Sequence, residues 1–193
     1  LARLRDEGWI VIYPKRGALV RQLSDQEAAE SAQVRLALET AGVRLADDDA
    51  RAGIAEQQDG SLRDQDAALR TGDFAAFAAH AMSFHRAFVQ MSGNGLMVEI
   101  YDRLGDRQML SMVRNAPRIT ADRQIVLDEH RLLTRLASAG DWPGFATALA
   151  AHHQNSRVLE AASPAGAAPS AASAGVGELG DRGELGDRGE KSE

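Results

Sequence analysis

Helix-start and helix-stop signals recur at short intervals from residue 24 to residue 161, and they favour a bundle of helices over other folds. Ser24 and Glu27 match a capping box, in which two side chains satisfy backbone amides of the first turn. Gly93 and Gly140 stand where helices should end. Short connections between about six or seven helices predict an all-α, antiparallel bundle.

Other side chains set the expected limits of these helices. Asp73, Thr120 and Asp141 are predicted N-caps, and Pro143 is tolerated in a first helical turn. The second helix, from about residue 48 to 70, is expected to be interrupted near Gly60. The apolar side of the first helix is predicted to include Val34, Leu38, Val43 and Leu45.

Composition excludes several classes of protein. Hydrophobic residues make up 44% of the 193 residues, enough for a sizeable core, and aromatic residues only 5%. The formal net charge of -6 argues against a strongly basic nucleic-acid-binding surface. The chain has no cysteine, which excludes disulfides and thiol catalysis and fits a cytoplasmic location. No apolar stretch is long enough to span a membrane.

The two ends differ from the middle. Residues 1–23 are predicted to form the end of a helix, a strand over 9–13, a turn and a return strand over 18–20, which is the pattern of a wing. The chain does not begin with Met, so an upstream segment is expected. Residues 162–193 are small and polar and repeat Gly-Glu-Leu-Gly-Asp-Arg, which predicts a disordered tail.

Three of the five histidines have mainly apolar or partly apolar surroundings on their predicted helix faces. Residues three or four positions away share a helix face. These neighbours are all apolar around His85, nearly all apolar around His130, and half apolar around His152. We expect these three side chains to point inward from three helices. His80 is rotated about 140° from His85 and His153 about 100° from His152, so neither is expected to join them.

Three buried imidazoles could share a metal ion. Neutral imidazole nitrogens bind zinc and related divalent metals such as nickel or manganese, and helical bundles build such sites from facing helices. Three protein ligands would leave positions for water or an anion. The alternative is that each histidine is a core residue with its own hydrogen-bond partner, the more common role of a single inward histidine.

Several short motifs follow one another in a recognisable order. Together they resemble the FadR branch of the GntR-type transcription regulators, in particular the C-terminal helical effector domain called FCD. The resemblance covers residues 1–159, and the two later histidines are 22 positions apart, as in that family (152 − 130 = 22). The motifs are the wing-like opening, Val34–Glu39, Phe84-His85, Ser92–Asn94, Glu129–Arg131, Gly140-Asp141 and His152.

The resemblance implies a bacterial regulator that responds to a small carboxylate metabolite through a bound divalent metal. Residues 1–23 would be the C-terminal remnant of a winged helix-turn-helix domain, 24–161 the effector domain and 162–193 the tail. It also implies a homodimer, with operator DNA bound only by a full-length protein. In the family an Asp and three His hold the metal. The histidines correspond to His85, His130 and His152, whereas Ala81 stands in place of the Asp.

Candidate ligand contacts follow from this expectation. Arg35 is the first candidate for the effector carboxylate, which an arginine can bind through two hydrogen bonds, with an ion pair in the core as its alternative role. Arg131 and Asn155 are further candidates. Lys15 and Arg16, in the turn of the wing, are candidates for DNA phosphate contacts or for a solvated turn.

Two other functions stay open at the level of sequence. Three histidines on zinc could activate water in a hydrolase-like helical enzyme, but no carboxylate is predicted on the inward face of His130 to act as general base. The second alternative is a helical dimerisation module without a ligand, in which the histidines are merely buried. Nothing in the sequence matches a nucleophile or phosphate-loop motif.

Overall fold

A computed structural model describes residues 10–13, 17–20, 24–114 and 116–161 of the chain, and it confirms the all-α class. Two short antiparallel strands, β1 (Ile10–Tyr13) and β2 (Gly17–Val20), lie where the sequence predicts them. Seven helices follow in the described residues: α1 (Asp25–Leu45), α2 (Asp48–Thr71), α3 (Phe74–Gln90), α4 (Gly95–Arg114), α5 (Ala116–Ala121), α6 (Arg123–Ser138) and α7 (Trp142–Ala161). The predicted tail, residues 162–193, lies outside the described part.

Most of the predicted caps form. Ser24 and Glu27 make the complete capping box of α1, and Asp73 accepts a hydrogen bond from the backbone of Ala76 at the start of α3. The side chain of Asp141 accepts from the backbone N–H of Gly144 at 3.0 Å and so caps α7. These contacts satisfy amides that have no partner within their own helix, and they fix where each helix begins.

Two expectations about helix limits are wrong. Thr120 is not an N-cap: it lies in the short helix α5, where its hydroxyl donates to the carbonyl of Ala116, and α6 begins only at Arg123. Helix α2 is not interrupted near Gly60 but continues from residue 48 to 71. A glycine inside a helix costs only about 1 kcal/mol relative to alanine. Buried residues on both sides of Gly60, Gln58 and Leu62, hold α2 in the bundle and offset this cost.

The inward face of α1 is polar, which the apolar pattern did not predict. Val34 and Leu45 are 41% and 54% exposed, so the sequence was wrong to place them on the buried side. The buried residues of this helix are instead Arg35, Glu39, Gly42 and Val43. Arg35 and Glu39 form an ion pair in the interior, which allows two charged side chains to take positions that a pattern search reserves for apolar ones.

The core lies between α1, α2, α3, α6 and α7. It holds the side chains of Val43, Ile54, Leu62, Phe84, Phe88, Leu127, Leu133, Phe145 and Leu149. A smaller buried cluster joins α2 to α3 and contains Ala68, Leu69, Phe77 and Ala81. None of the described helices has the length and hydropathy needed to cross a membrane.

Gly42 allows α1 and α3 to approach closely. A Cβ at this position would lie 2.0 Å from the carbonyl oxygen of Phe88 and 2.8 Å from the Cα of Val89, both backbone atoms that cannot move aside cheaply. We expect Gly42→Ala to lower the free energy of unfolding by about 1–3 kcal/mol or more through overpacking, although alanine is the better helix former. Urea denaturation measures the change.

The control for this substitution is Gly53→Ala. Gly53 lies inside α2, and a Cβ there would have no heavy atom within 4 Å. This variant should gain about 0.5–1 kcal/mol from helix propensity alone. If the variant at position 42 proved as stable as the one at position 53, the close approach of α1 and α3 would be wrong.

Candidate metal and effector site

Three histidine rings meet inside the bundle, contributed by α3, α6 and α7. The ring centroid of His85 lies 5.1 Å from that of His130 and 5.2 Å from that of His152, and the last two are 4.9 Å apart. All three residues are buried, and one possible ligand atom of each lies within 4.8 Å of the others. The structure thus brings residues from three separate segments into one group, called the histidine cluster below.

The Nδ1 atom of each ring is held by an acceptor. His85 Nδ1 lies 2.8 Å from Glu39 Oε2, and His152 Nδ1 lies 2.6 Å from Glu129 Oε2. A carboxylate can only accept, so both Nδ1 atoms carry the proton. In a neutral imidazole, Nε2 then carries the lone pair, and this is the atom that a metal would bind.

His130 is held in the same way by an amide. Its Nδ1 lies 2.7 Å from Gln65 Oε1 on α2, and Gln65 Nε2 donates to the hydroxyl of Ser61 at 3.2 Å. The amide oxygen therefore faces the ring and accepts from Nδ1. The ring of Phe84 stacks on His130 with a centroid distance of 4.4 Å. All three rings therefore share one tautomer, and hydrogen bonds from outside the cluster fix their orientation.

The acceptor of His85 belongs to a buried network. Glu39 is fully buried, and its Oε1 accepts a hydrogen bond from the hydroxyl of Tyr101 at 3.1 Å. Arg35 donates from Nε to the same hydroxyl at 3.2 Å, and its Nη2 lies 3.0 Å from Glu39 Oε1. Arg35 and Glu39 compensate one another's charge, so this part of the core carries no net charge.

Burial keeps two rings of the histidine cluster neutral. Desolvation, followed by the positive charge of Arg35 and by His152, holds the pKa of His85 well below its usual value. Desolvation, followed by His152, His85 and the charge of Arg35, holds the pKa of His130 well below its usual value. The rings of His85 and His130 are therefore uncharged near neutral pH, as metal ligation requires.

The carboxylate that holds His152 behaves differently. Burial alone would raise the pKa of Glu129, but hydrogen bonds from His152 and Asn155 outweigh it and lower that pKa.

The structure places two of the other predicted site residues, Arg35 and Asn155, next to the residues that hold the rings. Arg35 lies inside the bundle, 4% exposed, beside the acceptor of His85. Asn155 donates to Glu129 Oε1 at 2.7 Å, so it orients the acceptor of His152. Arg131 is not brought to the cluster: its side chain is 43% exposed and pairs with Asp128. Lys15 and Arg16 lie outside the described residues.

Two histidines stand apart from the cluster. His80, on α3, is only partly buried, while His153 is buried at 6% exposure. The ring of His153 lies 6.4 Å from that of His85 and 5.9 Å from that of His152. Within the described residues, the group whose ligand atoms lie within 4.8 Å of one another contains neither of them.

Sequence reasoning missed the residues that hold the rings. Glu39 could have been found, because it lies one helical turn after Arg35, where an opposite charge forms an i,i+4 pair. Glu129 precedes His130 but reaches the ring of another helix, which its local position does not indicate. Gln65 offers no local signal, since its partner is 65 positions away along the chain.

The side chains of the cluster fit a divalent metal. Three imidazoles with anchored Nδ1 atoms are the donor set of zinc sites that keep an open position. The fourth position differs from the family pattern. Ala81 lies one turn before His85 and is 2% exposed, and its methyl group cannot ligate. The cluster could therefore supply three ligands to such an ion.

Comparison with known proteins identifies the family of this chain. The model of the FCD domain matches residues 30–155. A probable D-xylose utilization operon transcriptional repressor of Paenarthrobacter nicotinovorans is 30% identical over 137 residues, which cover 71% of this chain and 59% of the relative. The chain therefore spans about three fifths of the length of that curated relative.

Solved structures show the same fold. Escherichia coli McbR/YncC superposes with a TM-score of 0.66 at 19% identity, over 83% of this chain and 81% of that one. A protein of Rhodococcus sp. RHA1, described as a transcriptional regulator GntR, gives 0.66 at 18% identity over 84% and 77%. The predicted FCD effector domain is confirmed, and the chain belongs to the FCD domain family.

Proposed function

We propose that this chain is the effector-sensing part of a ligand-responsive transcription regulator. Its bundle would bind a divalent metal, zinc first among the candidates, through His85, His130 and His152, and would recognise a small carboxylate metabolite there. The name of the Paenarthrobacter relative, a transcriptional repressor, supports regulation of transcription. Operator binding, homodimer formation and a cytoplasmic location are parts of the same proposal.

The observation that carries the proposal is that three neighbouring rings share one tautomer, each with its Nδ1 hydrogen-bonded to an acceptor. Each Nδ1 is occupied by an acceptor from a different helix: Glu39 on α1, Gln65 on α2 and Glu129 on α6. Merely buried histidines need one partner each, and nothing requires their other nitrogens to lie together. Here one ring nitrogen of each histidine lies within 4.8 Å of those of the other two. That arrangement favours a metal site over an inert dimerisation module.

A bound divalent ion would act as a Lewis acid that attracts an anionic ligand to its open positions. The chain's own contribution to effector binding comes from Arg35, whose charge lies inside the bundle beside the acceptor of His85. For effector binding to control DNA binding, the effector must bind one conformation of the regulator better than the other. α1 and α4 could carry such a difference, because Glu39 and Tyr101 connect both helices to the cluster.

Catalysis is a poorer fit to the same residues. A hydrolase needs a general base that is able to take a proton from water. The two carboxylates that touch the cluster, Glu39 and Glu129, both accept hydrogen bonds from ring nitrogens and from a second side chain. They are therefore engaged in orienting the rings. A screen of esters and phosphoesters against the zinc-loaded chain should show no turnover above the rate of free zinc.

Zinc titration of the metal-depleted chain tests the proposal. One zinc ion per chain should bind and raise the melting temperature, since a ligand at about 100 times its dissociation constant stabilises the fold by about 2.7 kcal/mol. The measurements are differential scanning fluorimetry and metal analysis after gel filtration. Carboxylates added to the zinc-loaded chain should raise the melting temperature further.

Two alanine variants separate the metal site from unspecific histidine binding. His130→Ala removes a ring of the cluster and should abolish the rise at equimolar zinc. His80→Ala removes a histidine of the same chain that lies outside the cluster, and it should leave the rise unchanged. A wild-type chain that binds no zinc, or two variants that lose zinc equally, would contradict the proposal.

A further inference from the structure

His153 is a buried polar side chain that nothing in the fold explains. It is 6% exposed, and neither ring nitrogen has a hydrogen-bond partner among the described protein groups. An unpaired polar group in the interior destabilises the fold, and native proteins hold few of them outside functional sites. Its ring lies 5.9 Å from that of His152, so a ligand bound at the histidine cluster would be close to it.

A second polar group in the same neighbourhood has an unused hydrogen-bond donor. Arg35 Nη2 is buried and pairs with Glu39 Oε1 at 3.0 Å, but it carries two N–H bonds and has no other acceptor among the described groups. Arg35 and His153 lie near the same ring: the centroid of His153 is 6.4 Å from that of His85, and the Nδ1 of His85 is held by Glu39, the ion-pair partner of Arg35. A neutral imidazole has one N–H to donate and one lone pair to accept, and His153 uses neither within the described residues.

We propose that Arg35 and His153 together bind the carboxylate of the effector beside the histidine cluster, which makes His153 a specificity-determining residue. This inference rests on the proposed function. The two oxygens of a carboxylate can accept one hydrogen bond from the guanidinium and one from the ring N–H. A neutral or cationic ligand offers no equivalent pair of strong acceptors, so the subsite selects anions.

The charges of the buried groups set a condition on this binding. The positive charge of Arg35 is already matched by Glu39, so an added carboxylate would be an uncompensated buried charge. A divalent ion bound by imidazole nitrogens, which bring no negative charge of their own, would supply the compensation. The effector should therefore bind the zinc-loaded chain far better than the metal-free chain.

The test uses the full chain, zinc as the metal and acetate as the carboxylate probe. The acetate dissociation constant is taken from the rise in melting temperature of the zinc-loaded chain, and the zinc dissociation constant from competition with a chromophoric chelator. His153→Leu should weaken acetate binding about tenfold or more, because one hydrogen bond to a charged group is lost. Its zinc affinity should stay within about twofold.

A matched series excludes an effect on folding. His153→Leu removes an unpaired buried polar group, so its melting temperature without acetate should rise by about 2–4 °C. His153→Gln keeps a donor and an acceptor and should restore acetate affinity to within about threefold of wild type. His80→Leu, outside the cluster, should match wild type in both dissociation constants.

Three results would overturn the inference. If His153→Leu weakens zinc binding tenfold, His153 is a metal ligand and holds no carboxylate. If acetate affinity is unchanged in that variant while the wild type binds acetate, the ring does not contact the effector, and the proposed function stands without it. If the zinc-loaded wild type does not bind acetate at all, both the subsite and the carboxylate part of the proposed function fail.

Discussion

Glu39→Ala is expected to lower the free energy of unfolding by about 3–5 kcal/mol and to weaken zinc binding by about 10–100-fold. The first effect arises because Arg35, 4% exposed, would remain charged in the interior without its carboxylate. The second arises because Nδ1 of His85 would lose the acceptor that fixes its tautomer and ring orientation. Urea denaturation of the metal-free chain and a zinc competition titration measure the two effects separately.

Glu99→Ala is the matched control for this loss. Glu99 also pairs with an arginine one helical turn away, Arg103, but at the surface of α4. Exposed pairs of this kind contribute little, so the variant should lose less than about 0.5 kcal/mol. The double variant Arg35→Met with Glu39→Met removes both charges and should be more stable than Glu39→Ala.

A Glu39→Ala chain as stable as the Glu99→Ala chain would contradict the buried ion pair. It would mean that Arg35 reaches solvent or another acceptor once Glu39 is gone. An unchanged zinc affinity in the same variant would show that His85 is held in place by packing against Phe84 and Phe88 alone. The structural and the metal-related roles of Glu39 can thus fail independently.

The positions of the histidines could be predicted because helix periodicity is a local property. The neighbours of His85 and His130 at three and four positions along the chain are nearly all apolar, which marks the inward face directly. The presence of most helices followed from caps such as Ser24, Asp73 and Asp141, whose partners lie within three residues. Such contacts depend only on short stretches of chain.

Contacts between helices left no comparable mark on the sequence. Gln65 accepts a hydrogen bond from His130 across two helices, and no residue near either of them in the sequence indicates this contact. The first helix was read incorrectly for a related reason. Its buried face carries Arg35 and Glu39, whose charges compensate each other and whose side chains both hydrogen-bond to the hydroxyl of Tyr101 on α4. Apolar periodicity then pointed to Val34, which is 41% exposed. Where polar groups form hydrogen bonds with one another across helices, apolar periodicity does not identify the buried face.

His153 shows where an observation of burial adds what position alone cannot. Rotation by about 100° from His152 on the same helix correctly separates it from the rings that face one another. The same angle does not reveal that His153 is buried, because α7 packs against α1 as well as against α6 and so has more than one buried side. A helix that packs on two sides buries polar residues in both directions.

Ala81→Asp is expected to tighten zinc binding about 100-fold. The substitution restores the carboxylate of the family pattern one turn before His85, on the same face of α3. Structural zinc sites with four ligands bind with about 10–16 kcal/mol, so one ligand contributes on the order of 3 kcal/mol. Competition with a high-affinity chelator measures the dissociation constant.

The same substitution should destabilise the metal-free chain. Ala81 is 2% exposed and packs with Ala68, Leu69 and Phe77, so an aspartate there would be a buried carboxylate without a partner until zinc binds. Ala81→Asn is the isosteric control: its neutral amide should cost a similar amount of packing and leave zinc affinity near that of wild type. An aspartate variant that binds zinc no better than the asparagine variant would show that position 81 does not face the ion, and the chain would then bind metal differently from its family.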